Sequence, residues 1–214
     1  MIGLAGQSAN PILSDRPATP TLSGMAHVPE TLAGRLLIAM PGIDDPRFER
    51  AVIFLCAHND EHAMGLTINR PVDGLTTPAL LARLGVTSNI ALPDDLVLFG
   101  GPVERERGFV LHTSDYNASP GTLNIDAAVG LTATRDVLEA MADEDRRPRH
   151  SVLALGYAGW GGGQLEREIR QNVWLTCDPD EALLFGHDHE HKWSTALAKL
   201  GVSADRLSTL SGRA

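Results

Sequence analysis

Lysine is almost absent from this sequence. Lys192 and Lys199 are the only lysines among 18 basic residues, which face 27 acidic residues and leave a formal charge of −9. A surface of this average charge repels polyanions. The sequence therefore predicts no tight binding to nucleic acid and no attraction to anionic membranes.

Cysteine and long apolar runs are also scarce. Cys56 and Cys177 lie far apart without a C-x-x-C pair, which excludes a disulfide-rich scaffold. The longest apolar run, AVIFLCA at residues 51–57, is far shorter than the ~20 residues that span a bilayer. The N-terminus lacks the basic start and apolar centre of a signal peptide. We expect a reduced, cytoplasmic protein with no membrane segment.

Aromatic residues are few, at 5% of the chain, so the expected core is built from Leu, Val, Ile and Ala. Residues 1–29 are rich in Pro, Ser, Thr, Ala and Gly, which predicts an irregular N-terminal arm, with Met25 as an alternative translation start. Residues 30–214 are enough for one good core, and we expect a single domain there.

Apolar periodicity predicts strands that are connected mainly as hairpins. The apolar runs at 51–57 and 63–69 flank the polar segment HNDEH and predict one hairpin. A second hairpin is predicted from residues 96–103 and a strand that begins at Phe109, with ERERG as its turn. Further strands are predicted over RLLIAM (35–40), SVLALGYA (151–158) and VWLTC (173–177).

Short helices are predicted between the strands. Thr77 and Pro78 are typical of an N-cap and a first helical position, and Gly85 follows the end of that helix. Either Thr132 or Thr134 caps the next one. QLEREIRQN and STALAKLG indicate two more. Because hairpins dominate and strands alternate irregularly with helices, the predicted fold class is α+β.

The glycine-rich segment GYAGWGGGQLEREI, residues 156–169, raises the question of a phosphate-binding loop. Its glycines fit no G-x-G-x-x-G register, and no lysine follows as in a Walker motif. Glu166 and Glu168 also occupy the start of the next helix, where an anion would otherwise bind. A tight structural corner that lets Trp160 pack closely is favoured over a phosphate cradle.

Residues with metal-binding or basic character occur in two short tracts. HDHEH (187–191) matches neither H-E-x-x-H nor H-x-H-x-D-H, so a loop with a helix cap at Asp188 or Ser194 is favoured over metal ligation. RRPRH (146–150) is the one basic cluster and is most simply a solvated loop. We expect no metal site and no cofactor.

Catalytic motifs are missing as well. There is no G-x-S-x-G elbow, neither cysteine lies in a nucleophile motif, and Asp44-Asp45 before Pro46 is typical of a turn. Nothing meets the joint demand for a nucleophile, a base and an oxyanion donor. A non-enzymatic protein is therefore favoured.

Several longer segments occur in a fixed order from about residue 30 to the end: LIAMPGIDDPRFERAVIFLCAH, GLTINRP, FGGPV, GFVLH and GYAGWGGGQLEREI. Together they resemble the YqgE/AlgH family of bacterial proteins, with Gly162 where proline is often expected and Arg213 where histidine is usual. The resemblance implies an α+β domain whose split, mostly antiparallel sheet curls into an incomplete barrel flanked by short helices. It implies little about function, because the family is essentially uncharacterised and its transcriptional-regulator label has no biochemical mechanism behind it.

Residues at predicted strand ends define a candidate ligand groove. They are Asn69, Arg70, Gly100, Gly101, His112, Trp160 and Gln164. If the barrel brings them together, backbone amides, one arginine and one aromatic ring would suit a small anionic or planar ligand. The alternative is that Arg70 and Gln164 only satisfy backbone carbonyls.

Two functions follow from these observations. The first is a cytoplasmic binding or regulatory protein that acts through a small-molecule ligand or a protein partner. The second is an enzyme of unknown reaction that uses a groove near Arg70, Gly100 and His112.

Overall fold

The computed structural model describes residues 31–203 and residue 207. The predicted N-terminal arm, residues 1–29, lies outside the described residues, and so does Arg213.

Within residues 31–203, ten strands are interspersed with five short α-helices. The strands are β1 (Leu36–Ala39), β2 (Val52–His58), β3 (His62–Thr67), β4 (Pro71–Thr76), β5 (Leu96–Phe99), β6 (Val103–Thr113), β7 (Thr122–Asn124), β8 (Val129–Thr132), β9 (Ser151–Gly161) and β10 (Trp174–Cys177). The helices are α1 (Thr77–Arg83), α2 (Arg135–Met141), α3 (Gln164–Arg170), α4 (Glu181–Phe185) and α5 (Lys192–Lys199), with a 3-10 turn at Pro46–Phe48. No helix among these residues is long and apolar enough to cross a membrane.

The strands pair in the order β10-β1-β2-β3-β9-β6-β8-β7, and every pair along this path is antiparallel. β5 forms a side branch, since it pairs antiparallel with β4 and parallel with β9. The sheet splits because β3 and β5 pair with successive parts of β9. It also curls: Leu36 on β1 and Leu131 on β8 share one core cluster although four strands lie between them. The predicted α+β fold, a split and mostly antiparallel sheet curled into an incomplete barrel, is confirmed.

Strands β1 and β2 are buried on both faces. On β1, Leu36 and Ile38 face the cluster that includes α4 and α5, whereas Leu37 and Ala39 face a second cluster against α3. β2 alternates in the same way. Double burial explains why both strands are continuous apolar runs, and each buried Leu or Ile contributes roughly 1.5–3 kcal/mol.

The first predicted hairpin, β2–β3, is confirmed. The second is wrong, because ERERG lies within β6 and β5 does not pair with β6. The chain crosses the backbone of β9 at Gly100 and Gly101, where an added Cβ would lie 2.2 Å from the Gly156 oxygen and 2.1 Å from the Tyr157 carbonyl carbon. This close crossing puts β5 and β6 on opposite edges of β9.

The N-cap of α1 lies one residue before the predicted position, and the N-cap of α2 is one of the two predicted candidates. The N-cap of α1 is Thr76 instead of Thr77, and its hydroxyl accepts from the Ala79 amide. Of the two candidates for α2, Thr134 is the N-cap and Thr132 lies in β8. Threonines one or two positions apart give the same sequence signal, so only the backbone path separates them.

The glycine-rich segment forms a structural corner, as predicted, but later in the chain than expected. β9 continues to Gly161, and the turn is made by Gly162 and Gly163. A Cβ at Gly162 would lie 2.6 Å from the Asp60 oxygen, and Gly163 has a φ of +68°. An added side chain would therefore be crowded at position 162, and the backbone conformation at position 163 favours glycine.

Candidate functional site

Glu168 on α3 joins three side chains at one carboxylate. Its Oε2 accepts the indole N–H of Trp160 at 2.9 Å and that of Trp174 at 2.7 Å. Its Oε1 accepts from the Gln164 amide at 2.8 Å. Trp160 lies near the end of β9 and Trp174 begins β10, so one carboxylate ties two strands to the helix between them.

The two indole rings form the floor of an open groove. Trp160 and Trp174 meet edge to face with centroids 5.9 Å apart, and Phe48 meets Trp174 in the same way at 5.8 Å. Both tryptophans are almost completely buried, whereas Phe48 is partly exposed. Contacts of this geometry stabilise by about 0.5–1.5 kcal/mol beyond simple burial. The floor is thus fixed by packing and by hydrogen bonds.

Above this floor lies a cavity of about 820 Å³, within the ~300–1,000 Å³ range of small-molecule sites. Its walls are the loop after β1, the β5–β6 crossing, the end of β9 and the α3–β10 connection. The lining residues are Met40, Pro41, Gly42, Ile43, Asp44, Asp45, Arg47, Phe48, Pro102, Val103, Gly159, Trp160, Gln164, Glu168, Gln171, Asn172, Val173 and Trp174. We refer to this cavity as the aromatic groove.

One wall of the aromatic groove is stabilised by an ion pair. The Asp45 carboxylate caps the 3-10 turn by accepting from the Arg47 amide at 3.0 Å, and it also accepts from the Arg47 guanidinium at 2.9 and 2.6 Å. These hydrogen bonds lower the pKa of Asp45 and raise the pKa of Arg47. The turn predicted at Asp44-Asp45-Pro46 is confirmed, and Arg47 is engaged by its own loop.

Comparison with known proteins places the chain in a family. A family model described as AlgH-like matches residues 36–205, which include every residue of the aromatic groove. The chain belongs to the AlgH-like family. The resemblance found in the sequence is confirmed.

Relatives of the AlgH-like chain carry names that state no activity. A "UPF0301 protein" of Caulobacter vibrioides (strain NA1000 / CB15N) is 66% identical over 185 residues, which are 86% of this chain and 95% of the relative. A UPF0301 protein of Bradyrhizobium diazoefficiens is 49% identical over 208 residues and 94% of each chain.

Solved structures support the same fold. The solution structure of the AlgH protein from Pseudomonas aeruginosa aligns with a TM-score of 0.66 at 40% identity, over 94% of this chain and 98% of that one. A crystal structure of a Corynebacterium diphtheriae protein aligns with a TM-score of 0.64 at 16% identity, over 78% and 85% of the two chains, and shares the fold alone.

Trp160 and Gln164 are the sequence-predicted site residues that line the aromatic groove of this AlgH-like chain. Asn69 and Arg70 instead bind backbone elsewhere. Asn69 accepts from the Val52 amide at 2.9 Å and donates to the Arg50 carbonyl at 2.9 Å. Arg70 donates to the Glu49 carbonyl, which is the role that the alternative interpretation gave it. Gln164 accepts from the Gly161 amide at 3.1 Å, in addition to binding Glu168.

Gly100 and Gly101 serve the crossing over β9, and the Gly100 amide donates to the Leu155 carbonyl at 2.8 Å. Neither glycine is among the residues that line the aromatic groove.

His112 is completely buried and belongs to a chain of hydrogen bonds. Its Nδ1 lies 2.9 Å from the Thr113 carbonyl, so Nδ1 must be the donor. Its Nε2 then accepts from the Thr132 hydroxyl at 2.9 Å, and that hydroxyl accepts from Thr122 at 2.7 Å. Burial lowers the pKa of His112. The AlgH-like fold therefore holds this ring neutral inside its core.

Both cysteines are packed thiols. Cys56 is buried among apolar side chains, and burial raises its pKa to about 12. Burial also raises the pKa of Cys177. Since the thiolate is the reactive form, neither side chain is suited to nucleophilic attack at neutral pH.

The histidines of HDHEH point to different partners. His187 pairs with Asp95 at 3.3 Å, whereas His191 pairs with Asp188 at 2.8 Å and is the N-cap residue of α5. The Nδ1 of His189 is buried. Among the described residues, no three His, Cys, Asp or Glu side chains are grouped so that they could hold a metal ion.

The sequence patterns did not predict the roles of Glu168, Trp174 and Phe48. One signal was present: Gln164 and Glu168 lie four residues apart and therefore on one face of a helix. Their tryptophan partners come from two strands, and no local pattern shows that a carboxylate will face them.

Proposed function

We propose that this AlgH-like chain is a binding protein whose aromatic groove takes a small planar ligand. The observation that supports it is the pair of tryptophans tied by Glu168 beneath an open cavity of about 820 Å³. A hydrogen-bonded floor of this kind is already in place before a ligand arrives, which reduces the entropic cost of binding.

The polar groups around the groove favour a neutral or cationic ligand over an anion. Arg47 is neutralised by Asp45, and the exposed Asp44 adds negative charge at the rim. Gln171 and Asn172 supply amide donors and acceptors at the opposite wall. Gly42 and Gly159 carry no side chains, so a flat molecule can approach the backbone there.

Binding is favoured over catalysis by the state of the lining groups. The described residues that line the groove include no Ser, Cys, His or Lys, the side chains that most often act as nucleophile or base. Glu168 accepts three hydrogen bonds, which engage three of the about four lone-pair sites of its carboxylate. The enzyme alternative lacks a comparable supporting observation.

The same proposal includes the cellular compartment of the protein and the consequence of ligand binding. The two cysteines are free thiols in this structure, which suits the reducing cytoplasm. A ligand in the aromatic groove would contact the exposed loop around Asp44, and this loop is then the surface through which a protein partner senses the ligand.

The proposal is tested with planar heterocycles, namely purine and pyrimidine bases, titrated while tryptophan emission is recorded. Val103→Phe places a larger side chain at the groove wall. Leu123→Phe is the matched control, since Leu123 is a similarly exposed strand residue on β7 and is not among the residues that line the groove.

We expect a saturable response in the wild type and in the control, weakened at least about tenfold in Val103→Phe. Native mass spectrometry of the untagged chain, compared with its denatured mass, reports a retained ligand independently. Equal responses of the Val103 and Leu123 variants would refute the groove as the binding site.

A further inference from the structure

The two tracts that the aromatic groove leaves unused, RRPRH (146–150) and HDHEH (187–191), meet in space. A separate pocket of about 170 Å³ is lined by Arg147, Arg149 and His150 from the first tract and by His187 from the second. The other lining residues are Thr77, Leu92, Pro93, Asp95, Met141, Pro148, Ser151 and Phe185. The chain carries a net charge of −9, yet the residues that line this pocket include two arginines, two histidines and one carboxylate.

The backbone of the RRPRH tract is held in place by hydrogen bonds to Asp115 and Thr113. The Arg149 amide donates to Asp115 at 2.8 Å, and the His150 amide donates to the Thr113 hydroxyl at 3.2 Å. Pro148 between the two arginines is buried. The side chains of Arg149 and His150 therefore extend from a fixed backbone, which is a condition for a preorganised site.

Each histidine is bound through only one ring nitrogen by a carboxylate. Nε2 of His150 lies 2.9 Å from Glu181, and Nδ1 of His187 lies 3.3 Å from Asp95. The His150 ring also stacks on Phe185, with centroids 5.7 Å apart and planes 24° apart. A ring oriented in this way keeps its second nitrogen for another partner.

We propose that this pocket binds a tetrahedral oxyanion, either free phosphate or the phosphate group of a small phosphomonoester. Arg147 and Arg149 supply guanidinium donors, and the Thr77 and Ser151 hydroxyls supply further ones. The second ring nitrogen of each histidine donates only in the protonated form of the ring. The pocket offers more hydrogen-bond donors, from several elements, than the two oxygens of a planar carboxylate can accept. A tetrahedral anion with more acceptor oxygens is therefore the better match. The pocket is smaller than the ~300–1,000 Å³ typical of drug-sized ligands, so it fits a small group.

Three carboxylates near this pocket oppose an anion, namely Glu181, Asp95 and the Asp115 that accepts from the Arg149 amide. Glu181 pairs with both Arg149, at 3.3 Å, and His150. Asp95 lines the pocket but is paired with His187. Arg147 carries no such ion pair among the described residues, so its charge is the one most available to a ligand.

The test is isothermal titration calorimetry of the full chain with inorganic phosphate at constant ionic strength, with sodium acetate and glycerol 3-phosphate as further probes. Arg147→Ala and Arg149→Ala remove the proposed donors. Arg146→Ala is the matched control, because the neighbouring Arg146 pairs with Asp143 and lines a different surface. Thermal unfolding of each variant checks the fold.

We expect saturable phosphate binding by the wild type and by Arg146→Ala, at least about tenfold weaker in the Arg147 and Arg149 variants. Binding of glycerol 3-phosphate in competition with phosphate assigns the site to a phosphomonoester, and binding of phosphate alone assigns it to the free ion. Absence of binding by both, equal binding of acetate, or an equal loss in Arg146→Ala would overturn the proposal. None of these results depends on the aromatic groove.

Discussion

Trp174 donates its indole N–H to Glu168 at 2.7 Å, across the connection from α3 to β10. The same carboxylate oxygen holds Trp160 of β9. The floor of the aromatic groove therefore depends on one side chain that belongs to neither strand.

Replacing Glu168 by alanine leaves two indole N–H groups and the Gln164 amide without their acceptor. Because Glu168 is partly exposed and water can replace some of these bonds, we expect the free energy of unfolding to fall by about 2 kcal/mol. Glu168→Gln keeps one acceptor oxygen and should lose about half as much. Urea denaturation measures both, and Glu139→Ala, which removes only an exposed Arg135 pair, is the control. Equal losses for Glu168→Ala and Glu139→Ala would contradict the structural role of Glu168.

Arg70→Ala separates the aromatic groove from the groove first expected near Arg70, Gly100 and His112. Arg70 donates to the Glu49 carbonyl, so its loss should lower the free energy of unfolding by about 1 kcal/mol. The response to planar heterocycles should stay unchanged, in contrast to Val103→Phe. Loss of the response in a folded Arg70 variant would return the ligand to the neighbourhood of Arg70.

Gly100→Ala tests the crossing of the chain over β9. The new Cβ would lie 2.2 Å from the Gly156 oxygen, a backbone atom that cannot rotate away. We expect a loss of about 3 kcal/mol or failure to fold. Gly108→Ala on β6 is the matched control, because its Cβ would meet only Leu153 at 3.7 Å. Circular dichroism during thermal unfolding compares the two, and similar stabilities would show that the crossing tolerates a side chain.

Stability should decrease in acid partly because of His112. Burial lowers its pKa in the folded chain below the unfolded value of about 6.5, so below that pH the unfolded chain binds more protons. This contribution is complete above about pH 6.5 and is lost as the pH falls toward the folded pKa, by at most about 1.4 kcal/mol per pH unit.

The measurement is the urea midpoint of the wild type and of His112→Gln between about pH 5 and pH 7.5. The variant should show a shallower dependence on pH in this window, because it has lost a titrating group. His62→Gln, at an exposed histidine on β3, serves as the control. Parallel pH profiles for the wild type and His112→Gln would exclude this origin of acid sensitivity.

Several features were determined by the sequence alone. Two apolar runs around HNDEH specify the β2–β3 hairpin, because a short polar link leaves antiparallel pairing as the nearest partner for each strand. The glycines before Gln164 specify a corner, because Gly163 takes a positive φ and Gly162 passes close to the Asp60 backbone. The order of several sequence motifs also predicted the family and, through it, the curled sheet.

The tertiary structure decided what brings distant segments together. β5 and β6 are neighbours in sequence, yet they lie on opposite edges of β9, a strand about 50 residues later. The aromatic groove combines the loop after β1 with α3 and β10, and the RRPRH and HDHEH tracts meet although each looks like a simple loop. Local pattern fixes backbone conformation and which face of a strand is buried. Which segments then meet depends on how the whole sheet packs, and that information is not contained in any one stretch of the chain.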